Sequence, residues 1–166
     1  MYKNILYPTD GSTGADAVLE HCRTLAETYG ATIHVLYVAE QQPYGLADDL
    51  PVKSPGGMVG DPKGGGSSMA MIRKKSAEVL ESVRDYGTSI VNKIADQLGN
   101  GKVKTAVKQG NPFKVILSYV DDHDIDLIVM GTHGRTGLDR YLIGSVTEKV
   151  VRMSDVPVMT VRRNDE

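Results

Sequence analysis

The sequence predicts an α/β fold in which one domain is built around a mainly parallel β-sheet. Short apolar segments typical of strands alternate along the 166 residues with longer segments of helical periodicity. Glycine, proline and asparagine separate these segments, as they do at the ends of helices and strands. A chain of this length buries a sufficient core without disulfides or structural metals. The alternation therefore favours parallel strands joined by crossover helices.

The first forty residues predict a strand, a helix and a second strand. Residues 5–7 are apolar and form a strand that stops at Pro8. Residues 12–29 carry apolar side chains at helical spacing, and Gly30 is suited to the C-terminal cap. Residues 32–38 are β-branched and apolar, which predicts the second strand.

The segment 41–68 interrupts this alternation. It contains four prolines and the run Gly64-Gly65-Gly66, a composition that buries little apolar surface. We expect one domain over residues 1–166 with a flexible Gly/Pro-rich insertion at about 41–68. The composition leaves two roles open for it, a lid over a ligand or a disordered loop.

The remaining residues predict three helices and three strands. The predicted helices cover residues 69–98, a segment opened by Asn111 as N-cap and Pro112, and residues 145–153. The predicted strands cover residues 103–107, residues 125–130, in the centre, and residues 158–161. Lysines alternate along the first of these, which predicts an edge or half-exposed position for it. Together these elements predict a Rossmann-like open sheet of five mainly parallel strands with helices on both faces.

Composition excludes several classes of function. The formal net charge is −2, so the chain lacks the surplus of basic residues typical of nucleic-acid-binding proteins. The single cysteine, Cys22, allows no intramolecular disulfide and no cysteine-pair metal site. No apolar stretch approaches the roughly 18 residues that span a bilayer, and the N-terminus carries no charged-then-apolar leader. We expect a cytoplasmic protein without a membrane or nucleic-acid partner.

A glycine-rich segment, residues 131–145, joins the most apolar strand to a helix. Glycines let a backbone approach phosphate oxygens closely, and a helix N-terminus attracts anions. Parallel α/β sheets also bind ligands at the carboxyl ends of their strands. The segment lacks the P-loop lysine, and the first strand–helix turn lacks the dinucleotide pattern. These residues alone therefore predict an anion site suited to phosphate.

Each of these residues also has a structural interpretation. Ser145 and Glu148 have the spacing of a capping box, which explains both without a ligand. Gly131 and Gly137 are acceptable as turn residues with positive φ. Asp10 suits a turn or a helix cap, and the residues at 133 and 135 suit an exposed loop. These alternatives stay open from the residues alone.

The spacing of the segment resembles the nucleotide-binding signature of the universal stress protein family, in its ATP-binding branch. The signature is Gly131, two residues, Gly134, nine residues, then Gly144-Ser145. Residues 5–12, 126–134 and 157–159 resemble the family's first strand and turn, its fourth strand and its last strand. The resemblance covers the whole chain.

The resemblance implies a nucleotide site and its residues. Asp10 would contact the ribose or, through Mg²⁺ or Mn²⁺, the phosphates. Val38 would offer its backbone to the adenine, and the glycine-rich segment would hold the phosphates. The implied nucleotide-binding set is Pro8, Thr9, Asp10, Val38, Met130, Gly131, His133, Gly134, Arg135, Gly144, Ser145 and Val146.

The resemblance also implies a function. It implies a stress-response or regulatory protein that binds ATP, or ADP or AMP, and acts as a nucleotide-dependent switch. Hydrolysis or autophosphorylation would be weak at most. It further implies a homodimer through the last strand, at about 157–161, and an unknown protein partner. The alternatives are an adenylate-handling enzyme of the wider α/β group and a dimeric interaction protein with an empty pocket.

Overall fold

A computed structural model describes residues 1–11, 15–40, 65–99, 101–132 and 143–162. The strands are β1 (Asn4–Thr9), β2 (Thr32–Glu40), β3 (Val103–Gly110), β4 (Leu127–Gly131) and β5 (Val158–Val161). The helices are α1 (Ala15–Tyr29), α2 (Gly65–Leu98), α3 (Pro112–Asp122) and α4 (Ser145–Met153). No helix among the described residues combines the length and apolar character needed to cross a membrane.

The five strands form one sheet in the order β3-β2-β1-β4-β5, and every pair of neighbours is parallel. This confirms the predicted α/β fold. β3 lies at an edge, as its alternating lysines predict. β4 is an interior strand as expected, although β1 occupies the middle position. The chain proceeds from β1 towards β2 and β3 on one side, and places β4 and β5 on the other.

The described residues fall in two compact units. One comprises Met1–Gln41 and Arg84–Glu166 and contains the whole sheet; the other comprises Gln42–Val83. In the first unit, α3 and α4 cover one face of the sheet. Their buried residues, such as Ile116 and Val150, pack with Leu6, Leu36 and Ile128 of the strands.

The other face of the sheet is covered within the same unit by α1 and the C-terminal part of α2. Side chains alternate along a strand, so the buried residues Ile5, Val35 and Val129 point to this face. α1 packs against β1 and β4. Gly87 of α2 approaches the ring of Tyr37 on β2. Helices on both faces were predicted, and the structure confirms them.

Several element boundaries differ from those predicted. α2 begins at Gly65, four residues before the predicted start and inside the segment 41–68; residues 41–64 lie outside the described ones. Low-propensity residues are tolerated in a first helical turn, whose N–H groups lack intrahelical partners in any case. β1 continues through Pro8 to Thr9 instead of stopping at the proline. Asn111 is the N-cap of α3 with proline in the first turn, as predicted.

Asp126, the acidic residue within the apolar segment 125–130, has a structural role. It lies just before β4, and its Oδ2 accepts hydrogen bonds from the backbone N–H groups of Lys3 (2.7 Å) and Asn4 (2.9 Å). The hydrogen bond from Asn4 is the main cause that lowers the pKa of the Asp126 carboxyl. The carboxylate therefore joins the start of β1 to the start of β4.

A cluster of aromatic rings lies at the amino end of the sheet. His34 of β2 is 1% exposed, and its Nδ1 lies 3.2 Å from the hydroxyl of Tyr119 on α3. The Tyr119 ring lies 3.9 Å from that of His123, between centroids. The Nε2 of His34 is buried and has no hydrogen-bond partner among the described residues. Burial, reinforced by Lys104 and His123, lowers the pKa of His34 to about 4.

Candidate functional site

The backbone pairing of β1 with β4 is much shorter than its pairing with β2. β1 pairs with β2 over its full length, from Asn4 opposite Thr32 to Thr9 opposite Tyr37. Its pairing with β4 contains only two positions, of which the last is Leu6 opposite Ile128. The space outside the carboxyl ends of β1 and β4, beyond this pair, is called the crevice below.

Pro8 explains why the pairing ends there. In a parallel strand, the backbone groups of successive residues face opposite neighbours. The Lys3 carbonyl accepts a hydrogen bond from Thr32 on the β2 side, and the Asn4 carbonyl accepts one from Asp126 on the β4 side. By this alternation the backbone of Pro8 faces β4, and proline has no N–H to donate. Proline therefore sits in β1 without harm to its pairing with β2.

The switch point of the sheet lies between β1 and β4. The strand order reverses direction between β1 and β4, because β2 and β3 lie on one side and β5 on the other. Open α/β sheets bind ligands at this place, outside the carboxyl ends of the strands. Asp10 follows β1 and Gly131 ends β4, so two of the residues that the resemblance implies lie at the strands that flank this switch point.

The strand register brings most of the sequence-predicted residues to one level. Continuing the β1–β2 register by one residue sets Asp10 opposite Val38. Continuing the β1–β4 register by two sets Pro8 level with Met130. Residues from three strands thus meet at the carboxyl edge of the sheet. The Met130 side chain, however, is buried in the core beneath α3 and α4, so that a ligand would meet this residue through its backbone.

The turn after β1 has a defined geometry. The N–H of Gly11 donates a hydrogen bond to Oγ1 of Thr9 (3.1 Å), and Gly11 has a φ of 78°. A Cβ at this position would overlap Cδ1 of Ile90 on α2. Both the positive φ and this close approach require glycine. Asp10, which is half-buried, lies in this turn directly after the carboxyl end of β1.

Backbone hydrogen bonds join the two ends of the glycine-rich segment. The N–H of Gly144 donates to the carbonyl of Thr132 (2.8 Å), and the N–H of Thr132 donates to the carbonyl of Val161 on β5 (3.0 Å). Oγ1 of Thr147 donates to the carbonyl of Gly131 (3.0 Å). Thr132 and Thr147 are both buried. The sequence alone did not indicate a functional role for either threonine.

These bonds place the N-terminus of α4 beside the end of β4. Gly144 is the N-cap, and no side-chain hydrogen bond caps the helix. Ser145 is therefore the first helical residue and not the cap, and Glu148 pairs with Arg152 (2.7 Å). The capping-box interpretation does not apply. The first N–H groups of α4 and the positive end of its dipole lie at the carboxyl edge of the sheet, where they favour an anion.

The structure brings nine of the twelve predicted residues to this edge. They are Pro8, Thr9, Asp10, Val38, Met130, Gly131, Gly144, Ser145 and Val146. His133, Gly134 and Arg135 lie outside the described residues. Across the described part of the chain, no group of three or more histidine, cysteine, aspartate or glutamate side chains is placed to hold a metal ion. The metal-binding role of Asp10 stays a prediction.

Comparisons with known proteins agree with the signature. The model of the Universal stress protein family matches residues 1–162. The chain is 30% identical to Universal stress protein MJ0577 of Methanocaldococcus jannaschii, over 99% of this chain and 98% of that protein. It is 29% identical to Universal stress protein MJ0531 of the same organism, over 98% of this chain and 84% of that protein.

Solved structures share the fold. The structure of MJ0577 superposes with a TM-score of 0.76 at 27% identity and covers 100% of this chain and 99% of that one. A universal stress protein in complex with cAMP has a TM-score of 0.57 at 18% identity, with 98% of both chains covered. A family protein from Arabidopsis thaliana with AMP bound has a TM-score of 0.59 at 18% identity, covering 98% and 92%.

Proposed function

Since the chain belongs to the universal stress protein family, we propose that it binds an adenine nucleotide in the crevice between β1 and β4. ATP is the expected ligand, with ADP or AMP as its products or substitutes. Nucleotide occupancy then acts as a switch in a cytoplasmic stress response, read by a protein partner. The observation that carries the proposal is the N-terminus of α4, which no side chain caps and which hydrogen bonds hold beside the end of β4 at the switch point of the sheet.

The phosphates are assigned to the α4 side of the crevice. The N–H groups of Ser145 and Val146 lie in the first helical turn, and the Ser145 hydroxyl is exposed. Such N–H groups bind phosphate oxygens readily, because they lack intrahelical acceptors and the helix dipole is positive there. Gly131, Gly134 and Gly144 permit a close backbone approach, and His133 and Arg135 flank the phosphates.

The nucleoside is assigned to the β1–β2 side. Val38 offers its backbone to the adenine, while Pro8 and Thr9 line the cleft. Asp10 contacts the ribose or, through Mg²⁺ or Mn²⁺, the phosphates; a carboxylate and phosphate oxygens are the ligands that Mg²⁺ prefers. Two proteins of this fold hold cAMP and AMP, so the fold itself accommodates adenine nucleotides.

The proposed activity is binding, with slow hydrolysis at most. No lysine follows Gly144, whereas a P-loop places a lysine on the transferred phosphate. Efficient phosphoryl transfer depends on such positioned charges. A bound ATP would therefore be hydrolysed slowly.

Nucleotide released from the purified protein by denaturation tests the proposal. We expect stoichiometric ATP, ADP or AMP by mass spectrometry from the wild type, and at least about tenfold less from Gly144→Val. Gly144 has φ −58° and ψ 146°, which valine adopts without strain, so we expect the valine side chain to obstruct the helix N-terminus while the backbone keeps its conformation.

The matched control is Gly101→Ala, because a Cβ at Gly101 meets no atom within 4 Å. It should release as much nucleotide as the wild type. The proposal fails if the wild type releases no nucleotide and binds none when ATP and Mg²⁺ are added back.

The homodimer is proposed through β5, whose outer edge is unpaired in the described sheet. The carbonyls of Pro157 and Val161 accept bonds from β4, so the backbone of Thr160 faces away from the sheet. A second copy adding antiparallel at this edge would use that N–H and cover the exposed Met159.

Thr160→Pro removes the outward N–H and preserves the β4 bonds. We expect a wild-type dimer and a Thr160→Pro monomer by sedimentation velocity, with Thr160→Val, which retains the N–H, still dimeric. A Thr160→Pro protein that sediments as a dimer would show that the subunits associate elsewhere.

A further inference from the structure

Thr147 makes a hydrogen bond unlike those of other helical threonines in this chain. Thr24, Thr28 and Thr88 each donate to the carbonyl four residues earlier in their own helix. Thr147 instead donates across 16 residues to the carbonyl of Gly131, at 3.0 Å, and is 4% exposed. Its hydroxyl therefore links α4 to the end of β4.

A second bond acts beside the first. The Gly144 N–H donates to the Thr132 carbonyl at 2.8 Å. Consecutive carbonyls at the end of β4 thus hold the N-cap and the third residue of α4. Two attachments separated by most of a helical turn fix both the position of the helix end and its direction.

The helix end that these bonds fix is the one assigned to the phosphates. Between the two attachment points lie Ser145 and Val146, whose N–H groups face the anion in the proposed site. Hydrogen bonds to an anion are short and directional, so a displacement of the donors by a fraction of an ångström weakens them. Loss of the Thr147 hydrogen bond would leave, of these two attachments, only the bond from Gly144, about which the helix end could rotate.

We propose that Thr147 is a positioning residue for phosphate recognition: its hydroxyl holds the first turn of α4 against β4 without touching the nucleotide. This inference rests on the proposed function, because it assigns the phosphates to α4. It identifies the class of ligand that depends on Thr147 as phosphorylated nucleosides, since the nucleoside is held on the β1–β2 side.

The test compares ATP with adenosine. Isothermal titration with each ligand is performed on wild type, Thr147→Val, which has the same shape without the hydroxyl, and Thr147→Ser, which keeps it. We expect Thr147→Val to bind ATP about tenfold more weakly and adenosine within about twofold of wild type. Thr147→Ser should restore most of the ATP affinity.

Controls separate positioning from general stability. Thr88→Val removes a helical hydroxyl bond remote from α4 and should change neither affinity. Thr147→Ala is titrated in parallel, so that a folding defect of one replacement does not decide the result. Melting temperatures are recorded for all variants.

Three results would overturn the inference. Equal losses for ATP and adenosine in Thr147→Val would show a merely structural role, and an unchanged ATP affinity would show no role. Failure of Thr147→Ser to restore ATP binding would show that the hydroxyl is not the cause. Failure of the wild type to bind ATP is a distinct outcome, which removes the proposed function itself and this inference with it.

Discussion

Replacing Gly87 with alanine is expected to lower the free energy of unfolding by up to about 2 kcal/mol, although alanine is the better helix former. A Cβ at this position would lie 2.5 Å from Cδ1 of Tyr37 and 3.1 Å from Cγ1 of Val107. Tyr37 is 4% exposed, so its ring has little room to move. Overpacking costs about 1–3 kcal/mol, which outweighs the helix gain of about 1 kcal/mol.

Urea denaturation followed by circular dichroism measures the effect. The control is Thr88→Ala, the next residue of α2, which is exposed and should be neutral or stabilising because alanine has the higher helix propensity. If Gly87→Ala proves more stable than the wild type, α2 does not pack against β2 and β3 as closely as the structure shows.

Acidification is expected to destabilise the fold through His34. Its pKa is lowered to about 4 in the folded chain from an ordinary value of 6.5, chiefly by burial. Between these pH values the unfolded chain binds more protons than the folded one, so the free energy of unfolding falls as the pH falls. One pKa unit corresponds to about 1.4 kcal/mol. We expect a loss of about 2 kcal/mol, less than the full shift implies, since the neighbouring Lys104 and His123 are solvent-exposed and screened.

The measurement is urea denaturation at intervals from pH 7 to pH 4.5. His34→Gln, which keeps a polar partner for Tyr119 and does not titrate, should flatten the dependence. His21→Gln, at an exposed position of α1, should leave it unchanged. Equal slopes in His34→Gln and wild type would exclude His34 as the acid-sensitive group.

The order and type of the elements could be predicted, because each depends on local pattern. A few neighbouring residues are enough to identify the apolar strands, the start of α3 at its asparagine–proline pair, and the end of α1 at its glycine. Boundaries that depend on distant partners could not be predicted. Pro8 locally predicts a strand end, yet β1 continues through it, because its backbone faces the β4 side and its missing N–H costs no hydrogen bond to β2.

The site divides in the same way. The glycine spacing and the position after β4 are visible in the sequence, and they predict an anion site at the carboxyl end of that strand. The bonds from Thr147 to Gly131 and from Gly144 to Thr132 depend on how α4 returns to the sheet. Thr132 and Thr147 lie near the two ends of the glycine-rich segment, but the sequence does not show which group a threonine hydroxyl or backbone will bond to. The role of Asp126 could not be predicted for the same reason, since the nearer of its two backbone donors lies 122 residues away in the sequence.

Backbone amide chemical shifts recorded by NMR during titration with ATP and Mg²⁺ test most directly whether the crevice between β1 and β4 is a nucleotide site. We expect saturable shifts at Thr9–Gly11, Gly131–Thr132 and Gly144–Val146. The amides of His34, Lys104 and His123, at the opposite end of the sheet, should stay in place. Shifts centred on that opposite end, or no shifts at millimolar ATP, would contradict a nucleotide site between β1 and β4.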